Sequence, residues 1–198
     1  LPADDREFDY FCVKEAVMPF GRFPGSDVVL GPEMKSTGEV MGIAGNFPAA
    51  FTKTQLAIDY EPPRGGEVFI SVNDGDKRNI TAIARSIARL GFSLVATTGT
   101  ARAIRASGIE CEEVGKIHAG SHTILDRIAS GEIVLMINTP FGSSTNTDGY
   151  EMRAACVRHG VSYCTTLAGA QALIAGMEAV RETGLDVIAL QDLPQWEG

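Results

Sequence analysis

The sequence predicts an α/β domain with a doubly wound parallel sheet of five strands, preceded by a segment of different character. From residue 67 onward, short apolar strand patterns alternate with amphipathic helical patterns, and glycines stand where helices should end. A stretch rich in proline and glycine, from Tyr60 to Glu67, separates the two parts. Alternating strands and helices form βαβ units, whose parallel strands are covered by helices on both faces. We therefore expect residues 67–183 to form one α/β domain.

The predicted elements follow one another with short connections. Short, apolar, β-branched runs predict strands at 67–72, 92–97, 109–114, 132–138 and 161–165. Helices are predicted at 76–91, 101–107, 121–131, 148–160 and 167–180. In the first of these helices Ile80, Ile83 and Ile87 share one face, and Gly91 stands at the expected C-terminal cap.

The segments outside this domain have weaker patterns. Residues 1–60 contain strand-like and helix-like pieces among many turn residues, and a stretch of that size can barely bury enough apolar surface to stand alone. We expect them to be the tail of another, larger domain. Residues 61–66 are expected to be a linker, and residues 184–198 a C-terminal extension.

The composition excludes several classes of protein. A net charge of −8 argues against a general nucleic-acid binder, because such proteins displace counterions with a basic surface. The sequence begins without a secretion leader and contains no apolar run near the roughly 20 residues of a membrane span, so we expect a cytoplasmic protein without a membrane partner. The four cysteines form no CxxC pair, and we expect them to be reduced and structural, including Cys164, which has no obvious base partner. No metal site is expected, since His118 and His122 lack a third ligand.

Polar side chains stand where four of the predicted strands end, and ligands of open parallel sheets bind beyond these carboxyl ends. A helix that begins just after Thr97–Thr100 would direct its free N–H groups and positive dipole end to this edge, where lysines could meet a phosphate. The alternative is that the threonines only cap the helix and satisfy turns. We interpret the set as a phosphate site, which comprises Lys77, Thr97, Thr98, Gly99, Thr100, Lys116 and Asn138.

The same edge has few groups for chemistry. The phosphate loop GxxxxGK[ST] and the dinucleotide fingerprint GxGxxG are absent from the sequence. No strand end carries the pair of carboxylates that acid–base catalysis usually needs. Asp148 could meet a ribose hydroxyl, or it could cap the helix that follows it. The pattern favours binding over reaction.

Several long motifs resemble the C-terminal part of the carbamoyl phosphate synthetase large subunit. They are "LGPEMKSTGEVMG", "ATTGTA", "EVGKIHAGSHTILDRIASGEIVLMINTP" and "VSYCTTLAG", and the likeness extends from about Phe11 to "VIALQDL". The resemblance implies that residues 1–60 end the second ATP-grasp component and that residues 67–183 are an allosteric domain similar in fold to methylglyoxal synthase.

The resemblance also implies the setting in which such a chain works. The family's enzyme makes carbamoyl phosphate from glutamine, bicarbonate and ATP, for arginine and pyrimidine synthesis. The intact enzyme is expected to need ATP, Mg²⁺ and K⁺, to work with a glutaminase small subunit and to form oligomers. The fragment by itself is expected to hold no cofactor and no catalytic residue.

The allosteric domain of bacterial members binds UMP as an inhibitor, or IMP, and the match assigns roles to residues already singled out. The phosphate contacts fall on Lys77, Lys116, Thr97, Thr100 and Asn138, and the ribose or base contacts on Asp148 and Thr139.

This sequence departs from the family's enteric enzymes at the nucleotide site. Pro140 replaces a threonine contact, Ser143-Ser144 replace a basic pair, and Thr98 replaces a histidine.

The family's ornithine activator site maps onto Glu15, Tyr163 and Thr165, and it would couple the two domains. Cys164 stands where that site has an acidic residue. A lost carboxylate weakens the attraction for a cationic amino acid.

The alternative function is a lyase of the methylglyoxal synthase type, which eliminates phosphate from dihydroxyacetone phosphate. The phosphate site would suit it equally well. That chemistry needs carboxylate bases, and the aspartate-bearing glycine motif of those enzymes is replaced here by "KIHAGSH".

Overall fold

The chain folds around two sheets of unequal size. The computed structural model describes residues 9–20, 28, 36–58, 60–115, 123–140 and 147–192. In these ranges the elements are β1 (Phe11–Val17), β2 (Gly38–Ala44), α1 (Phe47–Ala57), β3 (Glu67–Ser71), α2 (Ile80–Arg89), β4 (Ser93–Thr97), α3 (Thr98–Ala106), β5 (Glu112–Val114), α4 (Ile124–Ala129), β6 (Ile133–Asn138), α5 (Thr147–His159), β7 (Ser162–Cys164), α6 (Leu167–Thr183) and a 3₁₀ turn (Leu190–Asp192). No helix in the described ranges is long and apolar enough to cross a bilayer.

The larger sheet has five parallel strands in the order β5-β4-β3-β6-β7, which confirms the predicted α/β class. The chain starts in the middle with β3, adds β4 and β5 on one side, and then returns to add β6 and β7 on the other. Successive side chains of a strand point to opposite faces. Val68 and Ile70 therefore belong to one core and Phe69 to the other.

Each face of this sheet is covered by helices. Residues of α2, α3 and α6 fill the core on the Val68 face, and residues of α4 and α5 fill the core on the Phe69 face. The helix after β3 and the helix after β6 thus lie on opposite faces. The carboxyl ends of β3 and β6 form the switch point at which open α/β sheets bind ligands.

The first segment forms a hairpin and a helix. The strands β1 and β2 pair antiparallel, and one face of the pair packs on α1. The helix α1 is capped by Asn46, whose side chain accepts a hydrogen bond from the Ala49 N–H at 2.9 Å. Its packing against α6 is close, because a Cβ on Gly176 would lie 2.2 Å from Thr52 Oγ1. The segment is therefore joined to the α/β domain by a tight helix–helix contact.

One predicted boundary near the site is wrong. The helix predicted at 101–107 begins at Thr98, and Thr97 is its extended N-cap residue. Threonine and glycine are poor residues for a helix interior, but the first turn has no preceding carbonyls to bond, so their cost there is small. By contrast, the predicted cap at Gly91 is confirmed by its φ of 84°.

Candidate functional site

A row of side chains crosses the carboxyl end of the large sheet. Register places Val114 beside Thr97 and Ser71 beside Asn138, and Thr97 follows the pair formed by Ile70 and Ala96. Thr97 Oγ1 lies 3.5 Å from Ser71 Oγ, and Asn138 Nδ2 donates to the Ser71 carbonyl at 3.3 Å. The row lies on the face of the sheet that packs on α4 and α5. The side chains of Thr97, Ser71 and Asn138, which come from adjacent strands, lie side by side on this face.

This row forms the floor of a cavity of about 280 Å³. The start of α3 and the first turns of α5 supply the walls. The lining residues are Phe69, Ser71, Thr97, Thr98, Gly99, Val114, Gly115, Ile124, Asn138, Asp148, Gly149 and Met152. The floor is polar, and the wall that faces it on the α4 and α5 side includes apolar residues.

The N-terminus of α3 opens onto this cavity. The side chain of Thr97 makes no capping hydrogen bond, and its hydroxyl instead lies 3.3 Å from Thr100 Oγ1 and near Ser71. The first N–H groups of a helix have no partner within it and carry the positive end of the helix dipole. The structure therefore contradicts the alternative in which the side chain of Thr97 caps the helix. An anion in the cavity would meet these N–H groups directly.

Lys77 is held against the same helix start. A Cβ on Gly99 would lie 2.6 Å from Lys77 Nζ, so the absence of a side chain at Gly99 lets the ammonium approach the backbone. In the described structure Lys77 forms an ion pair with Asp74, whose side chain is 82% exposed. Such exposed pairs are weak. A bound phosphate could therefore replace Asp74 as the partner of Lys77.

Two of the predicted contacts lie behind the cavity. Thr100 is 1% exposed, and its hydroxyl accepts from the Val72 N–H at 3.2 Å. The hydroxyl of Thr139 accepts from the Asn73 N–H at 3.0 Å, and Thr139 does not line the cavity. Strand alternation explains the second case, because Asn138 and Thr139 point to opposite faces.

Some of the predicted residues lie outside the described ranges. They are Lys116, Ser143, Ser144, His118 and His122.

One buried residue of the site was not predicted. Arg153 on α5 is 5% exposed, and its Nη1 donates to Asn138 Oδ1 at 2.8 Å. The available signal was its spacing, since Met152 and Cys156 mark the inward side of this helix and Arg153 lies between them. Asp148 lies in the first turn of α5 and lines the cavity, and its contact with a ribose stays a prediction.

The three residues of the predicted coupling site lie together in a second cavity of about 540 Å³ between the hairpin segment and β7. They are Glu15, Tyr163 and Thr165. Glu15 Oε2 accepts hydrogen bonds from Thr54 Oγ1 at 2.7 Å and Gln55 Nε2 at 2.5 Å. Both donors belong to α1, which holds the carboxylate at the cavity wall.

The thiols of Cys156 and Cys164 line this second cavity, and burial makes both of them unreactive. Burial, with a smaller effect of the Glu15 charge, raises the pKa of Cys164 to about 12. Burial also raises the pKa of Cys156 to about 12. The thiolate is the nucleophile, so both side chains remain protonated and inert near neutral pH. Within the described ranges no group of three His, Cys, Asp or Glu side chains is placed to hold a metal ion.

Comparison with known proteins defines the class. Residues 79–165 match the family model described as an MGS-like domain. They include both the N-terminus of α3 and the Asn138–Arg153 pair. This part of the chain is an MGS-like α/β domain.

The relatives place that domain in a larger protein. The chain is 52% identical over 194 residues to the "Carbamoyl phosphate synthase large chain, C-terminal section" of Methanopyrus kandleri, a match that covers 98% of this chain and 36% of that protein. It is 46% identical over 186 residues to the carbamoyl phosphate synthase large chain of Myxococcus xanthus, covering 94% of this chain and 17% of that one. The chain corresponds in sequence to the C-terminal, MGS-like part of the carbamoyl phosphate synthase large chain, and it spans less than half of the length of these relatives.

A solved structure with a similar arrangement is the methylglyoxal synthase from Elizabethkingia anophelis. The TM-score is 0.47 at 17% identity, and the match covers 57% of this chain and 78% of the other.

Proposed function

We propose that this chain is the regulatory, nucleotide-binding part of a carbamoyl phosphate synthase large chain. A nucleoside monophosphate, UMP or IMP, binds in the 280 Å³ cavity with its phosphate at the N-terminus of α3. Asp148 then lies at the ribose. The effector changes synthesis of carbamoyl phosphate only as far as it binds one conformation of the large chain better than another.

The observation that carries this proposal is the position of the Lys77 ammonium over Gly99. The Lys77 ammonium thus lies at the start of α3, where the first N–H groups have no side-chain cap and where Thr97 and Gly99 line the cavity. Each of these groups suits the oxygens of a phosphate, and Asp148 is the one carboxylate among the described residues that line the cavity.

The test is calorimetric titration of the chain with UMP, IMP and uridine. UMP should bind and uridine should not, since uridine lacks the phosphate. Lys77→Met should weaken UMP binding about tenfold or more. Arg78→Met is the matched control, because Arg78 is the exposed next residue and its loss changes the net charge equally. Equal binding of UMP and uridine, or equal effects of the two substitutions, would contradict a phosphate-reading site.

We propose that the second cavity binds a cationic amino acid, ornithine in the first instance. Both hydrogen bonds to Glu15 reach Oε2, so Oε1 is available for an ammonium. Because Cys164 is neutral, the cavity offers less negative charge than a site with a second carboxylate. Ornithine should therefore bind weakly, and Glu15→Gln should abolish the heat of binding while Glu39→Gln, on the exposed part of the same hairpin, does not. Unchanged ornithine binding in Glu15→Gln contradicts this assignment.

The setting of the chain is part of the proposal. We propose that residues 1–60 end an ATP-grasp component, that ATP, Mg²⁺ and K⁺ act elsewhere in the large chain, and that a glutaminase subunit supplies ammonia. The isolated chain is then inert. A phosphate-release assay with dihydroxyacetone phosphate tests this, since sustained turnover would show a lyase instead.

A further inference from the structure

Arg153 is a buried arginine that does not itself line the effector cavity. It lies on the inward side of α5 beside the apolar core, and it is 5% exposed, as Asn138 is 6% exposed. Removing a guanidinium from water is costly unless its hydrogen bonds are satisfied. The 2.8 Å bond from Nη1 to Asn138 Oδ1 is one of the contacts that satisfy it.

This bond decides which way the amide of Asn138 is turned. An asparagine amide has nearly the same shape in either orientation, with an acceptor at one end and a donor at the other. A guanidinium has donors only, so Oδ1 must face Arg153 and Nδ2 must face away from it.

The amide in this orientation donates to a backbone carbonyl of the neighbouring strand. Nδ2 donates to the Ser71 oxygen at 3.3 Å, and the same oxygen accepts from the Thr139 N–H at 3.1 Å. One Nδ2 hydrogen is thereby used. The second remains at the cavity wall, because Asn138 lines the cavity.

We propose that Arg153 is a positioning residue that fixes Asn138 as a hydrogen-bond donor toward the ligand. The ligand atom that meets Asn138 is then an acceptor oxygen, and a donor at that place is rejected. Gly149 leaves room for the pair, since a Cβ there would lie 3.0 Å from Arg153 Nη1 and 3.6 Å from Asn138 Oδ1. The identity of the ligand rests on the proposed function, whereas the orientation of the amide does not.

A double-mutant cycle separates this role from a direct effect of the Arg153 charge on an anion. The variants are Arg153→Met, Asn138→Ala and the two combined, with UMP as the probe. If Arg153 acts through Asn138, Arg153→Met weakens UMP binding about 3- to 10-fold in the wild type but less than about 2-fold in Asn138→Ala. Arg158→Met is the matched control on the exposed part of the same helix, and it should leave binding unchanged. Equal weakening in both backgrounds, or none in the wild type when Asn138→Ala weakens binding, overturns the proposal.

A second measurement applies even where Arg153→Met does not fold or where UMP does not bind. The side-chain NH₂ group of Asn138 in the wild-type chain should show one hydrogen that exchanges slowly with water, as expected for the bond to Ser71. Rapid exchange of both hydrogens would overturn the positioning role. Asn138→Asp keeps an acceptor for Arg153 but has no donor, and UMP binding should fall about tenfold or more. Wild-type affinity in Asn138→Asp would overturn the donor assignment, whereas absence of UMP binding to the wild type would refute the proposed function alone.

Discussion

Charged side chains at the amino end of the large sheet pair with one another, whereas hydroxyl and amide side chains at its carboxyl end lie beside a helix start whose N–H groups have no side-chain cap. At the amino end, Arg127 of α4 is 8% exposed and contacts the starts of three strands. Its Nη2 lies 2.5 Å from Glu67, its Nη1 2.7 Å from Glu112, and its Nε 3.6 Å from Glu132. Glu112 and Glu67 raise the pKa of Arg127 further above its usual range, and the hydrogen bonds that Arg127 donates to Glu112 are the largest cause.

The carboxyl end is arranged in the opposite way. Thr97 and Ser71 form one long contact of 3.5 Å with each other, and the N–H groups that begin α3 receive no side-chain cap. Within the described part of the chain, Lys77 is paired only with the exposed carboxylate of Asp74. Donors that the fold does not use remain available to a ligand.

The difference between the two ends separates stability from binding. A charge cluster whose partners are all within the protein contributes to folding and offers little to a ligand. A set of unused donors contributes little to folding and can bind an anion. Substitutions at the two ends should therefore affect different measurements.

The largest expected effect is on stability, from Arg127→Met. The substitution leaves Glu67, whose side chain is 23% exposed, without its cation, and one-sided removal of a buried pair is strongly destabilising. We expect the free energy of unfolding to fall by about 2–4 kcal/mol, less than for a fully buried pair because the other carboxylates reach water. UMP affinity should stay within about twofold. Urea unfolding and calorimetric titration measure the two quantities.

The matched control is Arg89→Met, which removes an exposed arginine that lies 3.8 Å from Glu178. Its cost should be below about 1 kcal/mol, as for surface pairs in general. Similar losses in the two variants would mean that the Arg127 cluster is not special. A large loss of UMP affinity in Arg127→Met would mean that the two ends are not independent.

The order of the elements could be predicted from sequence because each depends on a local pattern. The apolar runs and the glycine stops are sufficient to place the five parallel strands and their helices. Because ligands of open parallel sheets bind beyond the carboxyl ends of the strands, Thr97 and Asn138 are predicted at the same edge of the sheet, and the structure places both of them there.

The arrangement within the site depends on distant residues, so the sequence could not predict it. The sequence predicts both Asn138 and Thr139 as effector contacts. Only one of them can face the cavity, and which one does so depends on the residue at which the strand ends. Arg153 is polar at an inward position, and only the structure shows that Asn138 is one of its partners. The helix predicted at 101–107 leaves out Thr98 because helix propensities describe helix interiors better than first turns.

An intermediate effect, on binding alone, is expected from Gly99→Ala. The new Cβ would lie 2.6 Å from Lys77 Nζ, so the flexible ammonium must move off the helix start. UMP affinity should fall about 5- to 10-fold, while the free energy of unfolding stays within about 1 kcal/mol, since alanine is favoured in helices. Gly45→Ala is the control, because nothing lies within 4 Å of a Cβ there. Loss of stability without loss of affinity would reverse the assignment of this end to binding.

The smallest expected effect comes from salt. Raising the ionic strength from about 0.05 to 0.5 M shortens the screening length several-fold, and exposed charges are screened more than buried ones. Lys77 has a side chain that is 31% exposed, so the dissociation constant for UMP should rise about 3- to 5-fold. The destabilisation caused by Arg127→Met should change by less than about 0.5 kcal/mol, because that side chain is 8% exposed. If salt reduced the Arg127 effect as strongly as it reduced UMP binding, the charges at the amino end would be as open to solvent as those at the carboxyl end, and the contrast between the two ends would fail.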